Sequence, residues 1–162
     1  MNIRNATMSD LSKIAAVEAE CFPAAEAATE KDLKDRLEVY PDHFWLLFDE
    51  DKMVGFVNGM VTNEPDLTDE MYEDASMHDE SGDWQMIFGV NTIPEYRKQG
   101  CAAVLIRQAI EDAKEQGRKG LVLTCKDRLI RYYAKFGFEN EGVSASVHGN
   151  VVWYQMRLPL AY

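Results

Sequence analysis

Long apolar runs are missing from this 162-residue chain, and none approaches the ~18 residues that suggest a membrane span. Its opening residues, Met1-Asn2-Ile3-Arg4-Asn5-Ala6-Thr7, carry no apolar core of the signal-peptide kind. Cysteine is scarce: Cys21, Cys101 and Cys125 are odd in number and far apart, which makes neither a disulfide framework nor a zinc pattern. No metal is therefore expected, and a reducing cytoplasm is the expected location. Positive charge is also short. Against 28 Asp and Glu stand 17 Lys and Arg, a formal net charge of −11, which excludes a general nucleic-acid binder. Repeats, low-complexity tracts and linkers are absent. With 46% hydrophobic and 28% charged residues, the expectation is one globular domain over 1–162 with a full core.

The charge that is present is unevenly placed. From Glu64 to Asp83 there are nine acids (Glu64, Asp66, Asp69, Glu70, Glu73, Asp74, Asp79, Glu80, Asp83) and no Lys or Arg. From Glu95 to Asn140 ten bases face six acids, a net of +4. A locally cationic segment can receive an anion and an acidic one can attract a cation, although a plain solvated surface explains such runs as well.

Periodicity and turn residues lay out the elements. A strand over Ile3–Ala6 precedes a helix capped by Ser9 and reaching Cys21, in which Leu11, Ile14, Ala15, Val17 and Glu18 share helical spacing. Thr29-x-x-Asp32 opens a second helix that ends before Tyr40-Pro41. Phe44–Phe48 and Met53–Val61 read as strands paired across the turn 49–52. The acidic stretch reads as a long loop with at most one helical turn. Trp84–Thr92 reads as one strand, Cys101–Glu115 as an amphipathic helix, Leu121–Cys125 as a strand and Leu129–Phe136 as a short helix. Two last strands, Val143–Val147 and Val151–Leu158, are expected to meet in a tight His148-Gly149-Asn150 turn. The order β-α-α-β-β-β-α-β-α-β-β defines an α/β domain.

The segment richest in chemistry is Val90-Asn91-Thr92-Ile93-Pro94-Glu95-Tyr96-Arg97-Lys98-Gln99-Gly100-Cys101-Ala102, a strand that turns through a basic loop into a helix. Amides at a helix start are unpaired and lie at the positive end of its dipole, so they bind phosphate. Gly100 lets the backbone approach an anion, Ala102 keeps the next turn small, and Arg97 and Lys98 add charge. Neither a nucleotide P-loop nor a dinucleotide turn is spelled there.

About thirty residues later stands Tyr132-Tyr133-Ala134-Lys135-Phe136-Gly137-Phe138. In this order and spacing, the Arg97-x-x-Gly100-x-Ala102 loop and this aromatic segment resemble the GCN5-related N-acetyltransferase (GNAT) superfamily. Cys21-Phe22-Pro23, Gly55-Phe56-Val57-Asn58-Gly59 and Leu123-Thr124-Cys125-Lys126-Asp127 are similar to its arylalkylamine N-acetyltransferase branch. The resemblance implies a mixed, mostly antiparallel central sheet with helices on both faces and a V-shaped splay between strands 4 and 5. It implies acetyl-CoA as co-substrate, with the pyrophosphate on the amides of Arg97, Lys98, Gln99, Gly100, Cys101 and Ala102 and the pantetheine arm along Val90 and Thr92. A primary amine then attacks the thioester directly, the Val90 amide polarises the carbonyl, and Tyr133 protonates the departing thiolate. Phe22 and Pro23 fall where the branch builds its amine pocket.

The chain departs from that branch at Met86 and Phe88, which stand where its vertebrate members carry two histidines. Met86 and Phe88 are expected to narrow an apolar amine pocket, and the base is left open among His78, an acid of the 64–83 loop and Glu20, with water between. His43 and His148 are expected elsewhere, and a loop histidine without a role is the plainer reading of His78. Tyr132, Tyr133, Phe136 and Phe138 also read as packing aromatics, and Phe22 and Pro23 as a helix-ending core contact. The expected function is acetyl transfer from acetyl-CoA to a small cationic amine, by a monomer or homodimer. Acetylation of a peptide amine, or an inactive acyl-CoA-binding regulatory domain, stands as the alternative.

Overall fold

The computed structural model describes residues 1–161; Tyr162, the last residue of the expected domain, lies outside the described residues. After strand β1 (Asn2–Asn5), Thr7 starts a 3-10 turn over Met8–Asp10 that runs straight into helix α1 (Leu11–Cys21). Ser9, the expected cap, lies inside that turn. Asp10 organises the entry instead, accepting from the Thr7 amide at 2.9 Å and from both Arg4 Nη atoms at 2.8 and 2.9 Å. A carboxylate held by a two-point guanidinium prevails over a lone hydroxyl. Helix α2 (Glu30–Val39) starts as its sequence predicts, with Thr29 Oγ1 accepting from the Asp32 amide at 3.1 Å and Asp32 accepting from the Thr29 amide at 3.3 Å.

Strands β2 (Phe44–Asp49) and β3 (Lys52–Asn58) pair antiparallel, and β1 flanks β2. The run Phe44-Trp45-Leu46-Leu47-Phe48 is buried throughout, so both faces of the sheet need cover. Phe44 stacks on Tyr40 at the end of α2. Trp45 points to the opposite face and donates its indole N–H at 2.7 Å to Asp112 of helix α4 (Cys101–Glu115).

The expected single strand Trp84–Thr92 is two strands in two sheets. β5 (Trp84–Ile87) runs parallel to β7 (Gly120–Cys125), β6 (Gly89–Thr92) runs antiparallel to β3, and Phe88 lies between them. Among the described residues the sheets have the orders β1-β2-β3-β6 and β4-β5-β7-β9-β8, with β4 at Val61–Thr62, β8 at Glu139–Val143 and β9 at Tyr154–Pro159. All their pairings except β5–β7 are antiparallel. The break has a cause in the neighbouring chain. Gly59, just past β3, packs so closely that a Cβ there would lie 1.8 Å from the Met86 carbonyl oxygen, which only glycine permits. Gln85 fills the interrupted ladder, donating at 2.8 Å to the carbonyls of both Gly59 and Met86, while its Oε1 meets His43 Nδ1 at 2.8 Å. From this point β6 and β7 diverge, which is the expected V-shaped splay.

The acidic stretch holds helix α3 (Asp69–Glu73) and a 3-10 turn over Ala75–Met77, more structure than one turn. Its ends are tied by Asp66–Arg157, Glu80–Arg118 and Asp83–Lys119 ion pairs. Helix α5 (Ile130–Ala134) occupies part of the expected 129–136 helix. The last hairpin differs most from expectation. Residues 144–153 form a loop closed at its base by the Ser144 amide on the Trp153 carbonyl at 2.7 Å, with a 3-10 turn at His148–Asn150. Asp69 holds this loop by accepting from Ser146 Oγ and, at 3.0 Å, from the Val147 amide. These tertiary bonds override the local turn preference of His-Gly-Asn.

Candidate active site

A cleft of about 570 Å³ opens where β6 and β7 part. β6 is an edge strand, paired on one side with β3. The Ile93 amide bonds the Val54 carbonyl at 3.0 Å, so strand alternation turns the amides of Thr92 and Val90 to the open side. Arg97 Nε donates at 3.0 Å to the Thr92 carbonyl, which shares that edge. Such an edge is a template for an extended, amide-bearing ligand. On the facing wall, β7 loses its β5 partner beyond Leu123, leaving Thr124 and Cys125 along the cleft.

The basic loop follows directly from β6. Gly100 sits at φ +84° and Lys98 at φ +63°, left-handed positions that wrap the chain into the start of α4. No side chain caps this 15-residue helix, and Arg97, Lys98, Gln99 and Gly100 are exposed, so its first amides face solvent. Cys101 is buried beneath the loop, and Ala102 is half-buried.

Tyr133 lines the cleft from α5. Burial, with Cys125 and Tyr132 adding to it, raises its hydroxyl above the ordinary tyrosine range, so it stays protonated and can only give a proton. Burial, with Asp127 beside it, likewise pushes the Cys125 thiol up to about 11, which leaves it un-nucleophilic. Phe22, Pro23 and Phe88 line the same cleft, as does Val90. Two other expected residues do not. Met86 is fully buried in the core, since β5 turns it into the sheet's interior before the break at Phe88. His78 is turned away from the cleft, its side chain 6% exposed and packed against Tyr40 and His43. The Val61 amide donates to its Nδ1 at 3.0 Å, and burial lowers its pKa, so it is a neutral structural histidine.

Several residues of the cleft lie outside the expected set. His148, expected elsewhere, stacks on Tyr72 at 5.0 Å between ring centroids and donates from Nε2 to the Glu26 carbonyl at 2.8 Å. Its place follows from the 144–153 loop that the sequence suggested was a tight turn. Phe88 also packs on Tyr72, at 4.8 Å between ring centroids, so Phe88, Tyr72 and His148 form an aromatic wall. At the mouth, Lys126 Nζ pairs with Glu26 at 2.9 Å. Glu18, 5% exposed, accepts from the Ala28 amide at 2.9 Å; burial raises its carboxyl above the ordinary range, opposed by that bond, by Arg36 and by the Asn91 side chain. The signal was its helical spacing with Ile14 and Val17. The expected Glu20 is exposed on the other side of α1. Of the acidic stretch, Asp69 and Glu73 reach the cleft.

His43, His78 and Glu80 bring one ligand-type atom each within 4.8 Å of one another, away from the cleft. Because His78 Nδ1 accepts the Val61 amide, its Nε2 carries the proton and donates to Glu80 at 2.9 Å, leaving no lone pair for a metal. Arg118 adds a 2.9 Å bond to Glu80. The group is a hydrogen-bonded clamp on the end of the acidic segment.

These features coincide with known proteins. A model of the Acetyltransferase (GNAT) family matches residues 11–138, and the chain belongs to that family. The GphF GNAT-like decarboxylase, solved with isobutyryl-CoA, superposes with a TM-score of 0.87 at 22% identity, covering 99% of this chain and 100% of that one. The ribosomal-protein-S18-alanine N-acetyltransferase from Escherichia coli superposes with a TM-score of 0.76 at 20% identity, over 99% and 94%. In sequence, serotonin N-acetyltransferase from Mesocricetus auratus is 26% identical over 114 residues, 70% of this chain. The chain spans 54% of that relative's length.

Proposed function

We propose that this chain is an N-acetyltransferase, one domain over 1–162, that moves acetyl from acetyl-CoA to the primary amine of a small molecule. The observation that carries the reading is the cleft at the β6–β7 divergence. It sets an open strand edge at Val90 and Thr92 opposite a buried, protonated Tyr133, with an uncapped helix start just beyond. The residues present fit CoA. The amides from Arg97 to Ala102 take the pyrophosphate, helped by the charges of Arg97 and Lys98, and the edge of β6 takes the amides of the pantetheine arm. Acetyl-CoA supplies the activated acyl group.

Within this arrangement the Val90 amide polarises the acyl carbonyl. The acceptor arrives as an ammonium and gives one proton to Glu18, a buried carboxylate that lines the cleft. Its nitrogen then forms the C–N bond while the C–S bond breaks. Tyr133 gives its proton to the leaving sulfur, the second proton shed by nitrogen restores Tyr133 through solvent, and Glu18 releases the first to solvent as product leaves. Thiolate departure needs little help, because a free thiol has a pKa of about 8.5. Freeing the amine is harder, so the base matters at least as much as the acid.

Thiol release from acetyl-CoA across small amines, amino acids, polyamines and peptides tests this reading. Turnover with small amines is the expected result. Turnover with peptides alone, or CoA binding without turnover on any amine, overturns it.

A further inference from the structure

The cleft contains a buried cation that the transfer chemistry does not use. Arg36, on α2, is 3% exposed and lines the cleft. Nη1 donates to Asn58 Oδ1 at 3.0 Å and Nη2 to the Tyr72 carbonyl at 2.8 Å, while the guanidinium lies 5.0 Å over the Phe88 ring. Both acceptors are neutral. Nε is buried without a partner, and among the described residues no carboxylate comes within ion-pair distance of Arg36. The guanidinium's donors outnumber its partners. Asn58, 1% exposed, likewise has its Nδ2 buried and unpartnered beside Arg36. The same cleft is lined by Glu18, one of whose oxygens is held by the Ala28 amide while the other lies toward Gly89 and the Asn91 side chain. Glu18 and Arg36 feel each other's charge without touching. A buried cation and a buried anion that share one cavity but do not pair are each costly, unless a group between them meets both.

We propose that the acceptor is a zwitterion: a small molecule carrying a carboxylate as well as the primary amine, with Arg36 binding the carboxylate and Glu18 facing the amine. This rests on the reading of the cleft as the acceptor site of an acetyl transfer. A carboxylate is the group for which a guanidinium with spare donors is built. The wall of Phe88, Tyr72 and His148 suits an apolar or aromatic body between the charged ends, so amino acids with such side chains are the class expected. Acetylation turns the ammonium into a neutral amide, which loses its attraction to Glu18 and favours release of the N-acetylated acid.

The test compares matched pairs that differ by the carboxylate: L-phenylalanine with phenethylamine, L-tryptophan with tryptamine, L-leucine with isoamylamine. With saturating acetyl-CoA, kcat/KM for each amino acid should exceed that of its decarboxylated partner by at least about tenfold, as a charged hydrogen-bonded contact supplies. Arg36→Gln should collapse that ratio toward one, chiefly through KM, and Arg36→Lys should keep part of it. Calorimetry should show L-phenylalanine binding to the enzyme–CoA complex. If Arg36→Gln fails to fold, the wild-type ratio decides alone. Decarboxylated amines used as well as or better than the amino acids overturn the zwitterion and leave the acetyltransferase standing. CoA binding without turnover on any amine overturns both.

Discussion

Glu18→Gln separates charge from packing at the base of the cleft. Glutamine has the same length, and its amide oxygen can still accept the Ala28 amide that now bonds Glu18 at 2.9 Å. What disappears is the proposed proton acceptor. An alkylammonium of pKa about 10.4 leaves roughly one molecule in 2,500 as free amine at pH 7, a handicap of about 5 kcal/mol. A positioned base recovers about 10²–10⁴-fold of such a handicap. At pH 7 the variant's kcat/KM should therefore fall by about 10²–10³-fold with CoA affinity unchanged. The deficit should narrow toward pH 9, because each unit gives the variant about tenfold more free amine.

Stability should move the other way. Burial raises the Glu18 carboxyl above its ordinary value of 4.5. The fold thus holds this proton more tightly than the unfolded chain does. Its contribution to stability is fully present below that ordinary value and is lost as pH rises through the folded one. Glutamine suffers no such loss, so the variant should match the wild type in acid and melt higher above the folded value. Thiol release across pH 6–9 and thermal melts across pH 4–8 read both effects. Turnover within about threefold of wild type at pH 7 refutes Glu18 as the base, and parallel melting curves refute the burial argument.

Tyr133→Phe should lower kcat by about 10²-fold with little change in CoA affinity; wild-type turnover over pH 6–9 removes Tyr133 from the acid role. Gly100→Glu places a carboxylate at an exposed left-handed position beside the helix start, and calorimetry should find CoA binding abolished. Gln85→Leu strands the carbonyls of Gly59 and Met86 and one nitrogen of His43, at about 1–3 kcal/mol each. Urea unfolding should register a loss of about 3–9 kcal/mol, and less than about 1 would refute the stapling role. Asp10→Asn removes the Arg4 pair at a cost of about 1–2 kcal/mol at pH 7. The Asp10 carboxyl is held below its ordinary 3.8, chiefly by the Arg4 hydrogen bond, so its stabilisation exists above that value and fades as pH falls through the folded one. The gap between variant and wild type should narrow as pH falls below 3.8.

The comparison of sequence with structure follows a physical division. Elements fixed by local signals were legible: Thr29 and Asp32 cap α2 as spaced, and the strand–loop–helix unit around Gly100 stands where its residues put it. The break at Phe88 was not, because Trp84–Thr92 is uninterrupted strand chemistry and the cause lies in Gly59, 29 positions earlier. The site divided the same way. Phe22, Pro23, Phe88 and Val90 came from segments with a recognisable counterpart and reach the cleft, whereas Met86 lies one pleat too deep. Arg36 reads in sequence as an ordinary polar helix residue between Leu33 and Leu37; only contacts with Asn58 and Tyr72 bury it. His148 does sit in a turn, but its place in the cleft was not legible because its partners, Tyr72 and Glu26, are far away in the chain.

The open edge of β6 belongs to the sheet, whereas three acceptor-side walls come from connections: residues 22–29, the α3 segment and the 144–153 loop. Asp69 and Glu26 fasten those connections to one another. On the proposed reading of the cleft, the acyl group is handled along the sheet edge, while the acceptor meets these connections together with Arg36 on α2. On that reading, insertions or substitutions in the connections would change which molecule is modified while the edge of β6 stays intact. An engineer seeking a new acceptor should graft or randomise those three connections together, since replacing one alone leaves its fasteners without partners.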